Sequence, residues 1–128
     1  MIAISSMTPL FQVYDVRTSV NFYIDNLGFE LDGTYEPDGH LYWASLKKDG
    51  FKLMLNACWE DDERPDEVDP ARTRGHGDIQ FYMKCTDVDA AHEELKGKGL
   101  DIGPPTEQHG RREIVVKDPD GYYLSIFK

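Results

Sequence analysis

The feature that most constrains the fold of this chain is an internal repeat. Residues 11–31, FQVYDVRTSVNFYIDNLGFEL, read like residues 81–102, FYMKCTDVDAAHEELKGKGLDI. Their Asp-Val pairs begin at Asp15 and Asp87, 72 positions apart, and the glycines of two later turns stand at 50 and 121, 71 positions apart. Two independent landmarks whose offsets agree within one residue indicate two copies of one module.

Each copy is predicted to contain one helix and four strands. Val16, Val20, Tyr23 and Leu27 form an apolar stripe at helical spacing, which Asp15 can cap and Gly28 can end. Val88, Ala91 and Leu95 repeat that stripe after Asp87. Strand-like runs occupy residues 9–14, 30–35, 41–46, 51–56, 79–85, 100–103, 112–117 and 122–127, with glycine turns at 48–50 and 118–121. We therefore predict an α+β fold of tandem βαβββ modules.

The charge of the chain is unevenly distributed. Residues 60–69, EDDERPDEVD, hold seven acidic residues and one arginine, within a chain whose net charge is −10. We interpret residues 58–76 as an acidic linker between a first module at about 7–57 and a second at about 77–128. The linker is either a mobile connection or a means of attracting cationic ligands. The overall acidity argues against binding of nucleic acid.

The sequence also limits where the protein works. No apolar run approaches the roughly 20 residues that cross a bilayer, so no membrane partner is expected. The start, MIAISSMTPLF, lacks a basic region before an apolar one, which favours a cytoplasmic location. Cys58 and Cys85 form no metal-binding pattern and are predicted to be buried free thiols.

The repeated pattern resembles the vicinal oxygen chelate superfamily, which contains glyoxalase I, extradiol dioxygenases and bleomycin-resistance proteins. The resemblance rests on DVRTSVNFYIDNLGFEL early in the chain and on GRREIVVKDPDGYYLSIF at its end. It implies curved mixed sheets around a cavity and a homodimer. It leaves open whether the modules pair within one chain or across the dimer.

In metal-dependent members of that superfamily, four strand positions facing the cavity hold a divalent cation. Matching the motifs places those positions at Thr8, Met54, Gln80 and Ser125. Only the Gln80 amide oxygen is a plausible ligand for a hard cation, so we expect no metal cofactor, and Ser125 is interpreted as part of a cavity wall. The alternative is a divalent-metal-dependent lyase, isomerase or dioxygenase that uses Gln80 and, in a shifted alignment, His76.

Other catalytic groups are not indicated by the sequence. His92 lies off the apolar stripe of the second helix and is predicted to face solvent, and His40 follows a turn and is predicted to be exposed. Glu113 has no sequence signal that separates it from surface charge. The chain has neither a nucleophile elbow nor a glycine-rich phosphate loop.

The closest resemblance within the superfamily is to the bleomycin-resistance proteins, which sequester a cationic drug without chemistry. This implies a non-catalytic protein that binds a small organic ligand, cationic or aromatic, including an antibiotic. Many such proteins have tryptophan where this chain has His109, which offers a smaller stacking face. Arg112 either holds a ligand anion or pairs with a neighbouring carboxylate. The predicted ligand-binding residues are Thr8, Trp43, Met54, Gln80, Tyr82, His109, Arg112, Tyr123 and Ser125.

Overall fold

A computed structural model describes all residues from 1 to 128 and separates the chain into two compact units, Met1–Glu67 and Val68–Lys128. The division falls inside the predicted linker. That segment is not featureless, since it contains the short helix Pro70–Gly75, which Asp69 caps by accepting a hydrogen bond from the Ala71 amide. None of the helices has the length and apolar character that crossing a bilayer requires.

The first unit is a βαβββ module. It consists of β1 (Leu10–Val13), α1 (Val16–Leu27), β2 (Glu30–Tyr35), β3 (Trp43–Lys48) and β4 (Phe51–Ala57), with a 3₁₀ turn at Pro37–Gly39. The strand order is β1-β4-β3-β2, with β1 parallel to β4 and the other pairs antiparallel.

The second unit repeats this arrangement. It consists of α2 (Pro70–Gly75), a 3₁₀ turn at His76–Asp78, β5 (Gln80–Lys84), α3 (Val88–Gly97), β6 (Thr106–Gln108), β7 (Arg111–Lys117) and β8 (Tyr123–Phe127). The order is β5-β8-β7-β6, again with one parallel pair, β5 and β8. The predicted α+β class with two βαβββ modules is confirmed.

The repeated Asp-Val pairs begin helices for the predicted reason. The Asp15 carboxylate accepts a hydrogen bond from the Thr18 amide at 3.1 Å, and Asp87 accepts one from the Ala90 amide at 3.0 Å. Gly28 ends α1 in the left-handed region, at φ +73°. The apolar stripe of α1 faces the sheet, and Tyr23 is fully buried against the rings of Phe11 and Phe29.

One predicted strand is wrong. Residues 100–103 are not a strand, and the edge strand β6 lies at Thr106–Gln108 instead. Ile102 is buried in the core, and the two prolines that follow it have no amide hydrogen to donate to a ladder. The strand begins after them and turns at His109 and Gly110, both with positive φ, into β7.

One histidine has an environment different from the predicted one, and a second has partners of its own. The side chain of His92 is 13% exposed, so the prediction that it faces solvent is wrong. His76 does not lie free beside Gln80. Its Nδ1 is 2.7 Å from the Asp120 carbonyl oxygen, and its ring stacks on Tyr122 with centroids 4.1 Å apart. His40 is exposed, as predicted.

Candidate functional site

The sheet of the second unit has two chemically different faces, because side chains alternate along each strand. One face is apolar and packs beneath α3, with Ile114, Val116, Leu124 and Ile126 all buried. The strand register puts a polar and aromatic set on the other face, which we call the site face. It consists of Gln80 and Tyr82 on β5, Arg111, Glu113 and Val115 on β7, and Tyr123, Ser125 and Phe127 on β8.

A buried polar pair lies on the site face. Ser125 is fully buried, and its hydroxyl donates a 2.5 Å hydrogen bond to Oε2 of Glu113, which is 7% exposed. The two residues belong to neighbouring antiparallel strands, with Val115 opposite Ser125 in the register. A carboxylate held in a buried position by one hydroxyl is a strong acceptor for a further donor.

An aromatic cluster lies beside this pair. The rings of Tyr82 and Phe127 meet edge to face with centroids 5.8 Å apart. The Arg111 guanidinium carbon lies 5.0 Å from the Tyr82 centroid and 5.8 Å from that of Phe127. Tyr82 is 49% exposed, so its ring is accessible from solvent. The cluster is a stacking surface with a cation at its edge.

The remaining predicted residues of the second unit are more dispersed. Tyr123 lies opposite Gln80 in the register and has the Lys117 ammonium 5.6 Å from its ring centroid. A Cβ at Gly77 would lie 2.9 Å from the Tyr123 ring, so glycine allows this tyrosine its position. His109 is exposed in the turn between β6 and β7.

Arg112 lies outside the site face. It donates hydrogen bonds to both carboxylate oxygens of Asp89 on α3, at 3.1 and 2.6 Å, and to Glu107 at 3.2 Å. The sequence allowed Arg112 either to hold a ligand anion or to pair with a neighbouring carboxylate. The structure shows the second arrangement. These bonds lower the pKa of Asp89 and raise that of Arg112, because each charge stabilises the other.

The predicted residues of the first unit occupy its own sheet. Met54 is half-buried opposite Leu10, Trp43 packs beside Gly33, and Thr8 precedes β1. The polar group of this sheet is Asp32, which accepts a hydrogen bond from Ser45 and pairs with Lys52, both at 3.1 Å. The Lys52 hydrogen bond is the main cause of the lowered pKa of Asp32, followed by the bond from Ser45.

A recess of about 200 Å³ lies near the start of α1 in the first unit. Its charged side chains already have partners, and Arg17 pairs with Glu36 outside the recess. Arg64 is 3.2 Å from Asp15 and lies over the Tyr14 ring, and His40 Nδ1 is 3.2 Å from the Asp61 carboxylate. Since these groups already have partners, the recess is a weaker candidate than the site face.

The side chains at the four metal-binding positions do not fit a divalent cation. Thr8, Met54 and Ser125 offer hydroxyl and thioether groups, and the Ser125 hydroxyl is already bonded to Glu113. Neither unit contains a group of three or more histidine, cysteine or acidic side chains arranged to hold a metal.

Comparison with known proteins identifies the family. The family model described as the glyoxalase/bleomycin resistance protein/dioxygenase superfamily matches residues 6–126. The chain belongs to this superfamily. The chain is also similar to an uncharacterized protein of Mycobacterium bovis, with 28% identity over 129 aligned positions, which cover 94% of this chain and 81% of that protein.

Solved structures share the superfamily fold. TnmS3, an antibiotic binding protein from Streptomyces sp. CB03234, matches with a TM-score of 0.72 and 22% identity, over 98% of this chain and 97% of that one. The bleomycin-binding protein of bleomycin-producing Streptomyces verticillus, solved with copper(II)-bleomycin, matches with a TM-score of 0.69 and 23% identity, over the same shares. At these identities the likeness establishes the fold.

The predicted ligand-binding residues leave out four residues of the site face, namely Arg111, Glu113, Val115 and Phe127. Their shared signal is the period of two, because Arg111 and Glu113 alternate along one strand while Ser125 and Phe127 alternate along the next. That signal was ambiguous in the sequence, because Arg111 and Arg112 are consecutive and equally charged, and either could be assigned to the face of Ser125. The register between β7 and β8 resolves it.

Proposed function

We propose that this protein binds a small aromatic organic molecule on the site face without transforming it. The observation that carries the proposal is the Tyr82–Phe127 pair, in which the Tyr82 ring is half exposed and which is bordered by Arg111 and Glu113. Flat rings stack on such surfaces, and the few polar groups beside them orient the ligand.

The side chains of the site face favour binding over catalysis. A serine nucleophile needs an adjacent base and access to substrate, whereas Ser125 is fully buried and bonded to a carboxylate. Cys58 and Cys85 are free and half-buried, and neither lies on the site face. The polar groups present are suited to hydrogen bonding a ligand.

The relatives give this proposal a more specific form. TnmS3 and the Streptomyces verticillus protein are described as binding antibiotics, and we extend that role to this chain as sequestration of an aromatic antibiotic. The proposal includes a homodimer, on the basis of the superfamily resemblance, and a cytoplasmic location.

The test is binding of a panel of aromatic antibiotics, measured by calorimetry, with mass spectrometry of the recovered ligand. Tyr82→Ala should weaken binding about tenfold, since aromatic contacts of this kind contribute on the order of 1 kcal/mol beyond their buried area. Phe51→Ala is the control, because Phe51 has a similar exposed fraction, 43%, but lies in the first unit at the β3–β4 hairpin.

Two results would contradict the proposal. Equal losses in the Tyr82 and Phe51 variants would mean that the site face is not the binding surface. A ligand recovered chemically changed, with turnover that depends on added nickel, zinc, manganese or ferrous iron, would support the metal-dependent enzyme instead.

A further inference from the structure

Arg111 differs from the arginines of this chain that pair with carboxylates. Arg17, Arg64 and Arg112 each form an ion pair with a carboxylate. The guanidinium of Arg111 has only ring contacts, and its Nε is buried with no hydrogen-bond partner. Buried donors are almost always satisfied in folded proteins, so an unpaired one on a candidate binding surface calls for an acceptor from outside.

We propose that Arg111 recognises an anionic oxygen group, such as a carboxylate, on the aromatic ligand of the site face. This inference rests on the proposed function and specifies, in addition, that the ligand is negatively charged. The guanidinium has five N–H donors in a rigid fork that suits an anionic oxygen pair. The rings of Tyr82 and Phe127 hold it near the surface on which a ligand ring would stack.

Glu113 does not neutralise Arg111, although both lie on the site face two residues apart. No ion pair joins them, and the Glu113 carboxylate is bonded to Ser125 on the neighbouring strand. The cation is therefore available. The Glu113 carboxylate is suited to accept a hydrogen bond from a neutral donor on the same ligand, such as a hydroxyl or an amide.

The net charge of −10 does not decide the sign of the ligand. Charges beyond about 8 Å are largely screened at physiological salt, whereas a contact with an incompletely solvated guanidinium is screened much less. Local chemistry at Arg111 therefore favours an anionic ligand over the cationic one that the overall acidity suggests.

The experiment uses three probes with the same ring and different charge: 2-naphthoate, methyl 2-naphthoate and 2-naphthylmethylammonium. Calorimetry at pH 7.5, a pH roughly three units above a typical carboxylic acid pKa, gives the affinity of the unmodified 128-residue protein for each. We expect 2-naphthoate to bind about tenfold or more tightly than its neutral ester, and the ammonium probe to bind no better than the ester.

Variants then assign the preference to one residue. Arg111→Gln should abolish the preference for 2-naphthoate while leaving the affinity for the ester within about threefold, and Arg111→Lys should retain part of it because the charge remains. Arg112→Gln is the matched control. It removes a neighbouring guanidinium whose hydrogen bonds go to Asp89 and Glu107, so the preference should persist.

The outcomes separate this inference from the proposed function. If all three probes bind equally, or the ammonium binds most tightly, and Tyr82→Ala weakens every probe, the anion inference is overturned while the aromatic site stands. If no probe and no aromatic antibiotic binds, the proposed function fails as well. Should Arg111→Gln not fold, the probe preference of the unmodified protein and the Arg111→Lys variant still decide the question.

Discussion

Ser125 on β8 donates a 2.5 Å hydrogen bond to the Glu113 carboxylate on β7, and both residues are buried. Ser125→Ala would leave that carboxylate without its hydroxyl partner in a poorly solvated position. We expect a loss of about 1–3 kcal/mol in the free energy of unfolding. Urea unfolding of the single variants Ser125→Ala and Glu113→Ala and of the double variant measures the coupling, because alanine removes the acceptor whereas glutamine would keep one. Strictly additive losses would show that the two side chains do not stabilise each other.

Asp89 should contribute a pH-dependent part of the stability. Its pKa is lowered in the folded protein by the hydrogen bonds from Arg112, relative to the ordinary value of 3.8. A carboxyl group whose pKa is lowered by folding stabilises the folded protein at pH values above its pKa in the unfolded chain. That contribution is lost as the pH falls through its pKa in the folded protein. Asp89→Asn should therefore destabilise the protein at pH 7 and have progressively less effect below pH 3.8. Urea unfolding at several pH values checks this, and an effect that does not change with pH would contradict it.

His92 offers a way to stabilise the protein. Its Nε2 is buried without a partner, which costs on the order of 1 kcal/mol or more. His92→Leu removes that unsatisfied nitrogen and puts an apolar side chain in the same largely buried position, so thermal unfolding should show an unchanged or higher melting temperature. The exposed His40 is the control, where the same substitution should change stability by no more than about 0.5 kcal/mol. A clearly lower melting temperature for His92→Leu would indicate that Nε2 has a hydrogen-bond partner in the folded protein.

Substitution of two turn glycines distinguishes the effect of backbone strain from that of a steric clash. Gly50 and Gly121 have nearly the same φ, +88° and +85°. A Cβ at Gly50 would contact nothing within 4 Å, whereas one at Gly121 would lie 2.5 Å from the Thr73 carbonyl oxygen. Gly50→Ala should cost about 1–2 kcal/mol from φ alone, and Gly121→Ala clearly more. If chemical denaturation shows equal losses in the free energy of unfolding for the two variants, the backbone around Thr73 moves to accept the Cβ without a measurable loss of stability.

Much of the fold could be predicted because its signals are local. The Asp15 and Asp87 caps, the apolar stripes of α1 and α3 and the glycine turns each depend on residues within a few positions, and all are present. The edge strand β6 could not be placed in this way. Its three residues, Thr106–Gln108, are all exposed and have no apolar alternation, so its position is set by pairing with β7.

The candidate site was predictable only in part. Tyr82, Tyr123, Ser125 and Gln80 were found because the repeat and the family pattern aligned their strands. Arg111 and Glu113 were missed, since a run of three charged residues, RRE, does not reveal which of them share a face with Ser125. Pairing of β7 with β8 assigns Arg111 and Glu113 to one face and Arg112 to the other.

The sequence by itself determined the two βαβββ modules, their helix ends and their turns, because those depend on hydrophobic period and on hydrogen bonds between near neighbours. Tertiary structure alone decided which charges are paired. A charge is neutralised by whatever side chain the register brings within hydrogen-bond distance, however far away it lies in the sequence. For that reason Arg112 is bound to Asp89, Glu113 to Ser125, and Arg111 has no carboxylate partner.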